Sequence, residues 1–454
     1  MNDQRRRYRM HAVGATAVLA AAIYLSSGTM APYGATDSHP FVLEPCHYLV
    51  NVDHHHFEAV YLMIRGVESA QWAGSVVLRR LLFPVISYPL VMAAGFLAGG
   101  LIASILLNVA ALLVFASFVR RRVGEGGATA TLWLLATYPG ITYWAGLPYS
   151  YVAIVPGSLF GLMLLYRMQE RVALKDVVRA AFLLGLIFTA YDLFPFFGPA
   201  AVIVLSVARR WLAAVVATIT MAIPGLLVAL MFMMMGIPLS NTNTANYRSV
   251  VVSYLSFDRY SSEWLAYLAE LPFVLFSNAI YGNLVFLPIL AIAGAVLLRG
   301  RRGIIVALPE KALLMTALAV FLFTNAAPPY DGWQMRGHWL ARLYQPLVVV
   351  LLMIAARATQ SLEGTLRARW RVALGLTVAL NASVAFGPIL MNPLAGFVYH
   401  KFYVHSPPDS LLLNMQRYGR RPLGFCDPSH ERDGISSPKT PFNRPPFMYR
   451  YPAQ

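Results

Sequence analysis

Charged side chains are scarce in this 454-residue chain, at 12% of positions, about half the roughly 25% that wets a soluble globular surface. That shortage excludes a soluble enzyme and a disordered chain. Cysteine is nearly absent: Cys46 and Cys426 are the only two, which excludes a disulfide scaffold. Lysine stands at only Lys175, Lys311, Lys401 and Lys439 among 36 basic residues, an Arg bias that fits a GC-rich bacterial source. No GxSxG, HExxH, CxxC or Walker pattern occurs, and no internal repeat marks inverted halves. Acids number 20, leaving a net charge of +16.

What is present is apolar: 58% of residues are hydrophobic, in continuous runs rather than alternation. Continuity excludes an outer-membrane barrel and predicts a polytopic helical membrane protein. The basic stretch Arg5–Arg9 followed by apolar residues 12–25 reads as an uncleaved signal-anchor, with a cleaved signal peptide as the alternative. Further apolar segments fall at 82–119, 128–147, 150–166, 180–208, 211–237, 272–298, 312–325, 340–356 and 372–390. The run 82–119 is long enough for nearly two crossings, about 57 Å as helix. Residues 81–97, interrupted by Pro84 and Pro89, are therefore expected to be juxtamembrane or re-entrant, with the span at 101–119. Conversely, 180–208 has Arg at both ends and YDLFPFFGP in its middle, which predicts a hairpin of two short spans. The expected fold is an all-α bundle of about 11 spans, within 10–13, occupying residues 1–390.

Sidedness follows from the basic clusters. The N-terminal arginines, Arg120–Arg122, Arg167–Arg179, Arg209–Arg210, Arg299–Lys311 and Arg357–Arg371 become cytoplasmic, gathering 21 basic and six acidic residues. The outer side keeps 15 basic and 14 acidic ones, so the net charge is mostly topology and signals no nucleic acid. Outer loops are expected at 31–80, 238–271 and 326–340, and residues 391–454 form an outer tail. Both cysteines then lie outside, where a Cys46–Cys426 disulfide can persist or two free thiols can stand.

The densest polar cluster is VDHHHFEAVYLMIRG, residues 52–66. Asp53 and Glu58 flank three histidines there, and a carboxylate beside an apolar surface suits general-base work. His54 and His56 are the weak candidates for a divalent ion, since consecutive residues point apart. A merely solvated loop would also be polar. Asp192, in FTAYDLFPFFGP, stands at or just below the outer surface. Such an acid faces a partner or a wet cavity, or simply ends a helix in an exposed turn. Arg336, His338 and Arg342 in the stretch 330–344, and the pair Arg79–Arg80, could meet a lipid phosphate or anchor to headgroups.

Four stretches, taken in order, resemble the polytopic GT-C glycosyltransferase superfamily. They are YLMIRG at 61–66 after an acidic outer loop, RRLLFP at 79–84, YPGITYWAGLPYS at 138–150 and RGHWLARLYQPL at 336–347. The resemblance implies a polyprenyl-phosphate-sugar donor, a glycan, lipid or protein acceptor, and inverting transfer on the outer face of a bacterial inner membrane. It implies a catalytic acid in the first outer loop, here Asp53 or Glu58, with Asp53 preferred. Substrate contacts would come from Arg79, Arg80, Tyr149, Asp192, Arg336, His338, Arg342 and Tyr344. No cofactor is expected, with a divalent metal as the alternative. The competing readings are a transporter, flippase or polysaccharide-export component without bond-forming chemistry, and a scaffold whose tail recruits partners.

Overall fold

A computed structural model describes residues 2–30, 80–94, 96–145, 150–234, 251–260 with a few positions up to 272, 286–299, 306–328 and 345–390. All regular structure among the described residues is helical. The main helices are α1 (Asn2–Met30), α2 (Leu82–Ala94), α3 (Phe96–Arg122), α4 (Glu125–Ala136), α5 (Pro139–Ala145), α6 (Ile154–Glu170) and α7 (Leu174–Phe188). They continue as α8 (Phe194–Val207), α9 (Trp211–Met234), α10 (Phe286–Arg299), α11 (Leu308–Asn325), α12 (Gln345–Ser361) and α13 (Gly364–Leu390).

The run 82–119 forms two helices, as the separation of 81–97 from 101–119 expects, with the break a few residues earlier. Pro89 lies inside α2, and the helical path changes between Ala94 and Phe96. α2 folds back on α3 so closely that a Cβ on Gly99 would stand 2.3 Å from the Leu90 carbonyl oxygen. Within α2 the Ser87 hydroxyl donates to the Phe83 carbonyl at 2.8 Å. The helix expected as a span over 101–119 runs over 96–122. The segment 128–147 is also two helices: Pro139 opens α5, and a proline disfavours helical geometry in the residue before it, Tyr138. The stretch 180–208 does form two short helices, α7 and α8, joined through Thr189–Leu193.

Helix ends segregate by charge. At one end, Arg122 at the close of α3 pairs with Glu170 at the close of α6. Arg210 donates to the Met168 and Val172 carbonyls, both at 2.9 Å, satisfying acceptors that the end of α6 leaves open. Arg357 in α12 reaches Glu310 in α11, and the Arg120 guanidinium lies over the Tyr8 ring of α1. This basic end collects every Arg cluster assigned above to the cytoplasm for which such contacts are described. At the distal end, Tyr138 donates to Gln345 Oε1 at 2.8 Å, and the Leu82 amide donates to the Thr189 carbonyl at 3.1 Å. Tyr254 donates to the carbonyl of Phe323, near the end of α11, at 2.8 Å. Burial, then Tyr260 nearby, pushes the Tyr254 phenol up to about 12, so it is a protonated donor at neutral pH.

The interior is close-packed and contains polar groups that bond to the backbone: Ser104 donates to the Ala145 carbonyl at 2.6 Å, and Thr316 to that of Phe196 at 2.7 Å. The exterior is apolar. On α9, Leu212, Val215, Ile219, Leu226, Leu227 and Leu230 are exposed, and α3, α10, α11 and α13 expose similar residues. Two described segments, 99–122 and 211–234, are long and apolar enough to cross a membrane unaided, and 82–94, 194–207, 286–299 and 345–361 are shorter apolar helices.

A second close helix contact yields a test. A Cβ on Gly185 of α7 would lie 2.4 Å from the Met221 carbonyl oxygen of α9. Gly185→Ala forces these backbones apart and is expected to cost about 1–3 kcal/mol despite the better helix propensity of alanine. A lowered thermal midpoint of the purified protein checks this; an unchanged or raised midpoint contradicts the packing.

Candidate functional site

Of the residues singled out in the sequence, Arg80 and Asp192 lie among the described ones, and the fold brings them together. Arg80 immediately precedes α2. Asp192 stands in the turn between α7 and α8. The Leu82 amide to Thr189 carbonyl bond ties the two segments. Their side chains meet with Arg80 Nη2 3.9 Å from Asp192 Oδ2. The guanidinium also sits 4.9 Å from the centroid of the Tyr191 ring. Arg80 is 8% exposed at its side chain and Asp192 29%, so the cation is the inner member and the carboxylate the accessible one.

The local sequence explains this placement. Thr189 ends α7 by donating its hydroxyl to the Leu186 carbonyl at 2.7 Å. Leu193 donates its amide to Tyr191 at 2.7 Å, and Pro195 lies in the first turn of α8, where its missing N–H costs no intrahelical bond. The tight turn therefore points Tyr191 and Asp192 at the segment leading into α2. A buried guanidinium keeps its charge and needs a partner; Tyr191 and Asp192 supply an aromatic face and a carboxylate. Asp192 keeps part of its side chain at the surface.

α7 and α8, with 15 and 14 residues, are about 22 Å long by helix rise. That is shorter than the roughly 30 Å of a bilayer core. The Arg80–Asp192 pair therefore stands about one such helix length from the basic end.

Asp53, Glu58, His54, His56, Arg79, Tyr149, Arg336, His338, Arg342, Tyr344, Cys46 and Cys426 lie outside the described residues. Among the described residues no group of three or more His, Cys, Asp or Glu could hold a metal.

A second ionic centre escaped the sequence reading. Glu310, 0% exposed, accepts from Arg357 at 2.6 and 2.7 Å, from the Tyr166 hydroxyl at 2.5 Å and from the Ala307 amide at 3.0 Å. Arg122 covers the Tyr166 ring at 4.0 Å. Pro309-Glu310 at a helix start signals a cap, but nothing local announces partners 47 and 144 residues away. Four accepted bonds saturate this carboxylate, so it clasps α6, α11 and α12 together and has little capacity left for a substrate.

No protein family, characterised protein or solved structure matches this chain.

Proposed function

We propose that the chain is a polytopic membrane glycosyltransferase of the GT-C kind, moving a sugar with inversion from a polyprenyl-phosphate donor to an acceptor at the distal, outer end. The basic end would face the cytoplasm. Exposed apolar flanks on α3, α9, α10, α11 and α13 suit lipid as the surrounding medium.

The observation that carries the reading is the meeting of Arg80 and Asp192 at 3.9 Å. They come from segments more than a hundred residues apart, both picked out for donor binding, and they converge opposite the basic end. The transport alternative calls for ionisable groups along a path through the bundle. Among the described residues the fully buried charged side chains, Arg80 and Glu310, instead stand near its two ends.

In the proposed reaction the acceptor oxygen attacks the anomeric carbon while Asp53 takes its proton. The bond from that carbon to the phosphate oxygen breaks and the polyprenyl phosphate leaves with the electron pair. Arg79, Arg336 and Arg342 offset the charge on the departing phosphate, with His338, Tyr149 and Tyr344 as further donors. Asp192 accepts hydrogen bonds from sugar hydroxyls, and Arg80 is a positioning residue that fixes Asp192.

Purified protein assayed with polyprenyl-phosphate-linked sugars tests the pairing. Asp192→Asn and Arg80→Gln should each raise the donor KM roughly tenfold, about one bonded interaction. The double variant should be little worse than either, because both disturb one unit. Fully additive losses, or none, would overturn the assignment.

A further inference from the structure

A cavity of about 690 Å³ opens at the basic end, between the starts of α1, α4 and α13 and the close of α12. Its size falls within the ~300–1,000 Å³ usual for small-ligand sites. Three helices turn periodic faces toward it: Arg367, Arg371, Gly375 and Val378 on α13, Arg7 and His11 on α1, and Glu125, Thr129 and Trp133 on α4. One side is cationic and polar; the other is apolar, formed by Ala130, Trp133, Leu374 and Val378.

Two of the cations, Arg367 and Arg371, are available. Arg367 donates its Nε to the Leu362 carbonyl at 2.7 Å, which leaves its outer nitrogens without partners among the described residues. Arg371 has no hydrogen bond or ion pair among them. Arg367 and Arg371 face one carboxylate, Glu125, whose Oε2 is buried without a hydrogen-bond partner among the described residues. The wall they form therefore carries more positive than negative charge. Hydrogen bonds already fix its walls: the Trp133 indole donates to His11 Nδ1 at 3.2 Å, and the Gly126 amide to Gln360 Oε1 at 3.1 Å. Burial lifts the Tyr8 phenol above its ordinary value, so it lines the cavity as a neutral donor.

We infer that this cavity binds the phosphate of an anionic phospholipid, with Arg367, Arg371 and Arg7 around the headgroup and the first acyl carbons along Trp133, Leu374 and Val378. Guanidinium forks match phosphate oxygens in pairs, and basic pockets between helices suit lipid headgroups. A free phosphate would use the same cations but not the apolar wall. The site lies at the opposite end from Arg80 and Asp192, and it would join α1 to α13, the first and last described helices.

The test is lipid binding to the full-length protein in mixed micelles. Phosphatidylglycerol should bind at least tenfold tighter than phosphatidylcholine, and inorganic phosphate should compete only weakly. Arg367→Gln with Arg371→Gln should reduce phosphatidylglycerol binding at least tenfold, while the two Arg→Lys changes should retain most of it. Gly375→Leu supplies a variant that keeps every charge: a Cβ at Gly375 meets nothing within 4 Å, so the new side chain fills space and should also displace the lipid. Equal binding of the two lipids overturns the inference, as does full retention in the Gln and Leu variants. Strong competition by inorganic phosphate overturns it in favour of a soluble phosphate ligand. Sugar transfer at the distal end is read separately, so that proposal stands or falls on its own assay.

Discussion

Asp53→Asn is expected to lower kcat for sugar transfer by about 10²–10⁴, with the donor KM changed far less. Asparagine keeps the size and the hydrogen-bonding carbonyl of aspartate but has no carboxylate to take a proton. The acceptor hydroxyl then attacks without a base. A loss in kcat alone assigns proton transfer to Asp53, whereas a rise in KM with kcat intact makes it a binding group. Glu58→Gln is the companion variant, because Glu58 lies five residues further along the chain. Wild-type turnover in Asp53→Asn together with a collapse in Glu58→Gln would move the base to Glu58. The sign with pH follows: if Asp53 is the base, kcat falls as the medium becomes acidic enough to protonate it.

Glu310→Ala should produce the largest loss of stability, about 3–5 kcal/mol, the usual result of stranding one member of a buried ion pair. Arg357 would lose both of its bonds to Glu310, at 2.6 and 2.7 Å. Tyr166 would lose its acceptor. The α11 start would lose the cap on Ala307. Tyr166→Phe removes one hydroxyl and leaves the Glu310–Arg357 pair intact, so its cost should be near 1 kcal/mol. Thermal inactivation of the two variants in detergent gives the ranking. A Glu310→Ala protein as durable as Tyr166→Phe would contradict the clasp. Because the clasp is at the basic end, Tyr166→Phe should leave the donor KM unchanged.

Local chemistry was legible in the sequence, and long-range pairing only in part. Apolar runs flanked by arginine located most helices, because helix length and helix-end charge are local properties. The two-helix reading of 180–208 succeeded for that reason: YDLFPFFGP cannot continue one helix without a turn. The separation of 81–97 from 101–119 was legible from run length, although α2 continues through Pro89, and the close approach of Gly99 to Leu90 reflects packing between two helices. The convergence of Arg80 with Asp192 was readable as a shared side, since parity and charge assign both to the expected outer side. Their contact was not, because it depends on how the α7–α8 turn meets the segment before α2. The Glu310 clasp had no sequence signal beyond its cap. The cavity near Arg371 had even less, since arginines at a helix start read simply as topology.

The most direct measurement places purified protein in liposomes with polyprenyl-phosphate-linked sugars and an acceptor mixture, and follows release of polyprenyl phosphate with the anomeric configuration of the product. Stoichiometric release, an inverted glycoside, and loss of both in Asp53→Asn are expected. Movement of intact donor across the bilayer, with no polyprenyl phosphate released for any donor tried, would contradict glycosyl transfer and favour transport.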